Sequence, residues 1–112
     1  MKMNNEFRTA FVYVRDSFAG TLSETDEGYL FQYDPLYFSD PDAPAVSLTL
    51  PKQKEPFFSR TLFAFFDGLI PEGWLLNLVS HNWKIDPKDR FGLLLVSCKD
   101  CIGAVSIREE KT

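Results

Sequence analysis

The spacing of hydrophobic residues changes along this chain, and that change limits the folds it can form. Near the N-terminus, Ala10 to Arg15 and Tyr29 to Asp34 alternate their side chains with a period of two, which predicts strands. Gly20 to Ser23 is a candidate short strand between them, with turns at Asp16 to Ala19 and at Glu24 to Gly28. The first third of the chain is therefore predicted to be a β-meander.

The second half changes to a helical period. Before the change, Val46, Leu48 and Leu50 share one face of a predicted strand that Pro51 ends. Four apolar residues then follow at positions i, i+3, i+4 and i+7, the spacing of one buried helical face: Leu62, Phe65, Phe66 and Leu69. We expect these four to be core residues, in a helix that Gly68 and Pro71 close.

Two more helices and a closing strand are predicted after this point. One helix begins near Glu72 and runs to about Trp83. The other has Asp86 as its N-cap, Pro87 at its first position and Asp89 near its positive end. A strand over Ile102 to Arg108 follows it.

The order of elements is thus strands, short helices and a strand, without βαβ alternation. It predicts an α+β fold with a small antiparallel sheet or barrel capped by short α-helices. The 112 residues form one predicted domain, with its core over about residues 7–108, because no stretch has the composition of a linker. Ser39 to Pro44 is the most exposed predicted loop, but it is too short to separate domains.

Charge and composition argue against several classes of function. Twelve basic and sixteen acidic side chains give a net charge of −4, and no stretch collects Lys and Arg into a stripe for phosphates. Direct nucleic-acid binding is therefore disfavoured. The N-terminus has no apolar run of signal-sequence length, and no segment approaches the roughly 20 apolar residues that span a bilayer. We expect a cytoplasmic protein.

No catalytic, cofactor or metal constellation is predicted. Cys98 and Cys101 form a C-x-x-C pair, but a lone His81 leaves a zinc ligand set incomplete. A redox pair opens a helix, whereas this pair follows a helical pattern and precedes a strand, which favours two reduced, partly buried thiols. The chain also lacks a P-loop and the H-R-D and D-F-G elements of protein kinases, so it is not predicted to be an enzyme.

Several segments, in order, resemble the N-terminal subdomain of HipA-family kinases. They are V-Y-V at Val12 to Val14, G-T-L at Gly20 to Leu22, F-Q-Y-D-P at Phe31 to Pro35, S-L-T-L-P at Ser47 to Pro51, F-F-D-G-L-I-P-E-G at Phe65 to Gly73 and D-C-I-G-A-V at Asp100 to Val105. The F-F-D-G-L-I-P-E-G segment is the most specific. The resemblance covers about Phe11 to Ile107, nearly the whole chain.

In HipA proteins a larger kinase region follows this subdomain, and that region is missing here. The chain begins with Met, closes its predicted fold near Ile107 and ends in a charged tail. This arrangement resembles HipS, the small component of HipBST toxin–antitoxin systems. The resemblance implies an antitoxin that binds and neutralises a separately encoded HipT-like kinase, alongside a HipB-like helix-turn-helix protein that binds DNA.

A partner-binding surface is predicted beside the most specific segment. Around a helix at about 100° per residue, Leu75, Leu76, Val79 and Trp83 cluster on one side, with Asn77, Ser80 and His81 opposite. Trp74 falls with the polar group. It is therefore the predicted interface anchor, with Pro71, Glu72, Gly73, Asn77 and His81 around it. As an alternative, Trp74 covers the domain's own core as a lid over Leu78 or the preceding loop.

Two other functions stay open at this point. The chain fits a regulatory fragment or remnant of a HipA-like toxin kinase, which would have the same fold but no separate kinase to inhibit. Thiol–disulfide chemistry at Cys98 and Cys101 is the third reading, and ordinary, slowly reacting thiols would remove it.

Overall fold

An open five-stranded antiparallel sheet forms the centre of the protein. The structure is a computed structural model that describes residues 7–73, 76–77, 81, 86–98 and 104–110. The strands are β1 (Thr9–Val14), β2 (Ser17–Glu24), β3 (Tyr29–Tyr33), β4 (Phe57–Ser59) and β5 (Val105–Arg108), in the order β4-β3-β2-β1-β5. Within the described residues lie the α-helices α1 (Pro35–Ser39), α2 (Ala64–Asp67) and α3 (Arg90–Ser97), and Leu76, Asn77 and His81 are also helical. The predicted α+β fold with an antiparallel sheet is confirmed.

The N-terminal meander forms where the alternating pattern predicted it, with one shift. The chain turns at Arg15 and Asp16, where Arg15 has φ of 57°, and β2 already begins at Ser17. The turn predicted over Asp16 to Ala19 is therefore placed too late. The pairing register shifts between Val12 and Tyr13, which accommodates one extra residue of β2, Ala19, in a β-bulge.

One face of the sheet carries the core. Paired residues line up across three strands in the row Ala10, Leu22 and Phe31, all fully buried. In α3, the consecutive residues Phe91 to Leu95 are all buried, and Phe66 of α2 is fully buried with its ring 5.6 Å from that of Phe31. Removing this much aromatic and aliphatic surface from water is the main stabilising contribution to such a domain.

The core prediction for the segment around α2 is confirmed for Leu62 and Phe66 and in part for Phe65 and Leu69. Leu62 and Phe66 are buried, while Phe65 and Leu69 are partly buried and packed against the core. The helix is shorter than the spacing suggested, because Leu62 precedes it and it ends at Asp67, with Gly68 as C-cap.

The strand predicted over Val46, Leu48 and Leu50 is wrong. Ser47 instead begins a tight turn: its carbonyl accepts the Leu50 N–H at 3.0 Å and its Oγ accepts the Thr49 N–H at 3.2 Å. Val46 and Leu50 remain buried, whereas the Leu48 side chain is completely exposed. A serine hydroxyl that accepts a hydrogen bond from the backbone two residues later competes with strand pairing, and here the turn forms in place of the strand.

The N-cap predicted for α3 is also wrong. The Asp89 side chain, not Asp86, caps the helix by accepting the Gly92 N–H at 3.1 Å, and the first helical residue is Arg90 rather than Pro87. Asp86 caps the preceding turn, where its Oδ1 accepts the Lys88 N–H at 2.9 Å.

Candidate partner-binding surface

The segment predicted to bind a partner leaves the core directly after α2. Ile70 is still buried, and the carbonyl of Leu69 accepts a hydrogen bond from the Cys98 thiol at 3.2 Å. Pro71 is then half-buried, and Glu72 and Gly73 are exposed. The fold thus holds Ile70 in the core and exposes Glu72 and Gly73 to solvent.

Gly73 fits this position because of its backbone. Its φ is +66°, the left-handed region that L side chains rarely adopt, and a Cβ there would meet nothing within 4 Å. The Gly73 carbonyl accepts the Asn77 N–H at 3.2 Å, which forms a helical turn. Glycine is therefore required by conformation and not by crowding, and the surrounding surface is open.

The predicted polar and apolar sides of this helical segment agree with the burial of its described residues. Asn77 and His81 are helical and exposed, and Leu76 is partly buried against the core. Trp74, Leu75, Leu78, Val79, Ser80 and Trp83 lie outside the described residues. The assignment of Trp74 as an interface anchor or as a core lid stays a prediction.

The Cys98 thiol occupies an interior position. Its side chain is fully buried at the C-terminal end of α3, where its carbonyl accepts the Ile107 N–H of β5 at 2.8 Å. Cys101 lies outside the described residues. A buried thiol at the end of a helix lacks the access and the helix N-terminus that typify reactive cysteines. The environment of Cys98 thus gives the thiol-redox function no support.

In the residues that the structure describes, large apolar side chains are exposed at Leu36, Leu48 and Phe58, at 83%, 100% and 52% exposure. Leu36 and Phe58 belong to no predicted face, and Leu48 was predicted on a strand face with the buried Val46 and Leu50. Periodicity cannot find such residues, because it identifies buried faces. Among the described residues, no three His, Cys, Asp or Glu side chains are grouped to hold a metal ion. In the same part of the chain no helix has the length and apolar character needed to cross a membrane.

Comparison with known families and structures gives a consistent result. The family model described as the HipA N-terminal domain matches residues 10–108. A solved structure, the N-terminal domain of HipA toxin, is similar with a TM-score of 0.69 and 33% sequence identity, and the match covers 94% of both chains. The resemblance predicted from the sequence motifs is thus confirmed.

Relatives of two different lengths are found. An uncharacterized protein of Haemophilus influenzae is 38% identical over 109 residues, covering 97% of this chain and 99% of the relative. Two proteins of Sinorhizobium fredii, named “Putative kinase Y4mE” and “Putative kinase Y4dM”, are 31% and 29% identical over 71% and 78% of this chain. The match spans only 19% and 23% of their own lengths.

Proposed function

This chain belongs to the HipA N-terminal domain family, and from that membership we propose that it is an antitoxin that binds and neutralises a separately encoded HipT-like Ser/Thr kinase. A HipB-like helix-turn-helix protein completes the complex and supplies its DNA binding. The domain contributes no catalytic group, since its sequence contains none of the motifs that hold metal-nucleotide in kinases. Phosphoryl transfer belongs to the partner.

The observation that carries this proposal is the occurrence of the domain in two contexts. It accounts for about a fifth of two relatives named as putative kinases and for almost all of the Haemophilus relative. A domain that packs against a kinase region within one chain has a surface complementary to that region. The same surface can bind a kinase encoded as a second chain, at the cost of the lost translational and rotational freedom.

The solvent-exposed residues Glu72, Asn77 and His81 support the proposal as part of a contact region. Ile70, buried in the core, fixes the chain just before them. Such a polar rim around a large anchor is typical of protein interfaces. Trp74 is the anchor that the sequence predicts. Bound near the kinase active site, the domain blocks substrate access or a productive kinase conformation.

A reconstitution experiment tests the proposal. The protein is co-expressed with the kinase encoded by an adjacent gene, purified through a tag on the kinase, and added in increasing amounts to a phosphorylation assay. We expect a stable complex and loss of kinase activity at equimolar protein. A folded protein that neither binds nor inhibits the kinase would refute the antitoxin role and favour the regulatory-fragment alternative.

A further inference from the structure

A groove with a volume of about 520 Å³ lies between the β1–β2 turn, helix α1 and the loop after it. Apolar side chains make up much of its lining, together with acidic ones. The lining consists of Val14, Arg15, Ser17, Phe18, Asp34, Leu36, Tyr37, Asp40, Asp42, Ala43 and Pro44. It is separate in sequence from the segment at Pro71 to His81.

Three carboxylates give the groove a negative rim. Asp34 caps α1 and Asp40 accepts the Asp42 N–H at 3.0 Å, so backbone hydrogen bonds hold two of them in place. In the described part of the chain, none of the three forms an ion pair. Arg15 is the single cationic residue of the lining. The Lys52 ammonium lies against the same lining, so the three carboxylates exceed the two cations by one negative charge.

Hydrogen bonds within the domain hold the wall of the groove in place without a partner. The Tyr37 hydroxyl donates to the Pro44 carbonyl at 2.6 Å. The Lys52 ammonium donates to the carbonyls of Asp40 and Ala43 at 2.6 and 2.8 Å, and it lies 5.6 Å from the centre of the Tyr37 ring. A wall that is already ordered loses little conformational entropy when it binds.

Leu36 provides the apolar part of the surface. It is 83% exposed on α1, so its side chain contributes little to the domain's own core. A leucine in that position gains free energy only when a second surface covers it.

We propose that this groove binds a basic segment of the partner kinase in which a Lys or Arg lies next to an aliphatic or aromatic side chain. The cation pairs with Asp40 and Asp42, and the apolar neighbour packs on Leu36. The inference rests on the proposed function, because it names a second contact region for the same kinase. The excess of carboxylates at the rim favours a cationic occupant over nucleic-acid phosphates and anionic lipid surfaces.

Conservative variants separate this contact from folding. Asp40→Asn with Asp42→Asn removes two charges but keeps the acceptor oxygen that binds the Asp42 N–H. Leu36→Ser removes the exposed leucine. Matched controls are Asp26→Asn with Glu27→Gln in the β2–β3 turn, which removes two exposed carboxylates, and Leu48→Ser, which removes another exposed leucine.

The measurement is the Kd of the untagged protein for the purified kinase, at low and high NaCl. We expect each groove variant to raise Kd about tenfold, or about 1.4 kcal/mol, with both controls within about twofold of wild type. The charge variant should also lose part of the wild-type salt dependence. Unchanged melting temperatures establish that the variants are folded.

The outcomes distinguish this inference from the proposed function. If wild-type protein does not bind the kinase, the proposed function fails and the groove proposal falls with it. If wild-type protein binds and the groove variants bind equally well, the proposed function stands and the groove proposal is overturned. Equal weakening by groove and control variants also overturns it, since the effect would then not be specific to the groove.

Discussion

Arg8 and Asp89 lie 81 positions apart in the chain and form a two-pronged ion pair. The Arg8 Nη1 and Nη2 atoms donate to the Asp89 Oδ2 and Oδ1 atoms at 2.9 and 2.8 Å. The same guanidinium donates to Glu24, and its carbon lies 5.1 Å from the centre of the Phe91 ring. Because Asp89 also caps α3, this contact ties the start of the sheet to the start of that helix.

Replacing Arg8 with Ala should destabilise the domain. The change removes the Arg8 guanidinium from the Glu24 carboxylate, whose side chain is only 9% exposed, and from the Asp89 carboxylate. We expect a loss of about 1–3 kcal/mol in the free energy of unfolding, kept modest because Arg8 is itself partly exposed. Urea unfolding measures it. Arg60→Ala, at an exposed arginine, is the control, and equal effects of the two changes would contradict the role of Arg8.

Replacing Phe66 with Ala should open a cavity in the centre of the core. Phe66 is fully buried and its ring contacts those of Phe31, Phe63 and Phe65, so we expect a loss of about 3–5 kcal/mol. A loss of this size would unfold much of the population of a marginally stable domain. Phe58→Ala, at a residue 52% exposed, should cost far less. Thermal melting of both variants compares the two losses of stability, and an unchanged melting curve for Phe66→Ala would refute the core placement of Phe66.

Replacing Tyr33 with Phe should weaken the loop that follows α1. The Tyr33 hydroxyl donates to the Leu50 carbonyl and accepts the Val46 N–H at 2.9 Å, in a buried environment. Without it, both backbone groups lose a partner, and we expect a cost of about 1–3 kcal/mol. Tyr29→Phe is the control, since that ring stacks on Phe91 and keeps this contact without its hydroxyl. Urea unfolding of both variants should show the larger loss at Tyr33.

Alkaline pH should destabilise the protein through its tyrosines. Burial, the largest cause in each case, raises the pKa of Tyr29, Tyr33 and Tyr37 above the ordinary value of 10.0. The folded state therefore holds these protons more tightly than the unfolded state. Their stabilising contribution is complete below the ordinary pKa and is lost as pH rises through the folded pKa values. Tyrosinate absorbance is titrated against pH in native buffer and in urea. It should rise at higher pH in the native protein, and coincident curves would exclude the raised tyrosine pKa values.

Replacing Trp74 with Ala tests the anchor predicted from the sequence. If Trp74 inserts into the kinase, the melting temperature should stay nearly unchanged while binding weakens by at least about 2 kcal/mol, roughly thirtyfold. His81→Ala, at the predicted rim, should weaken binding less. The core-lid alternative gives the reverse order, with destabilisation first and weaker neutralisation as its consequence. Melting curves and kinase affinity measured on the same variant therefore decide, and a folded variant that binds normally would exclude the anchor.

The elements that the sequence predicted correctly are those whose side chains repeat along one face. The alternation in β1 and β3 and the i, i+3, i+4 spacing around Phe66 reflect burial against a core. A face that is buried requires apolar residues at regular intervals, and such intervals can be read from the sequence. Strand β4 was not predicted, because three residues are too few to show alternation. The exposed neighbourhood of Glu72 and Gly73 follows from the same pattern, because the helical face ends before them.

Where two sequence motifs predicted a helix start equally well, only the tertiary structure decided which of them begins a helix. Asp34-Pro35 and Asp86-Pro87 both have the residue types of an N-cap followed by a first helical position. A helix start was predicted only at the second, yet one lies at the first, where Asp34 caps α1. After Asp86 the helix starts four residues later, because Arg8, from the far end of the chain, holds Asp89 in place at its cap.

The sequence by itself placed Leu62 and Phe66 in the core, whereas the turn that starts at Ser47 left Leu48 exposed. Contacts between distant residues decided which residue caps each helix. They can do so because a capping hydrogen bond and a long-range ion pair each contribute a free energy on the order of 1 kcal/mol, so one ion pair can favour one cap over another.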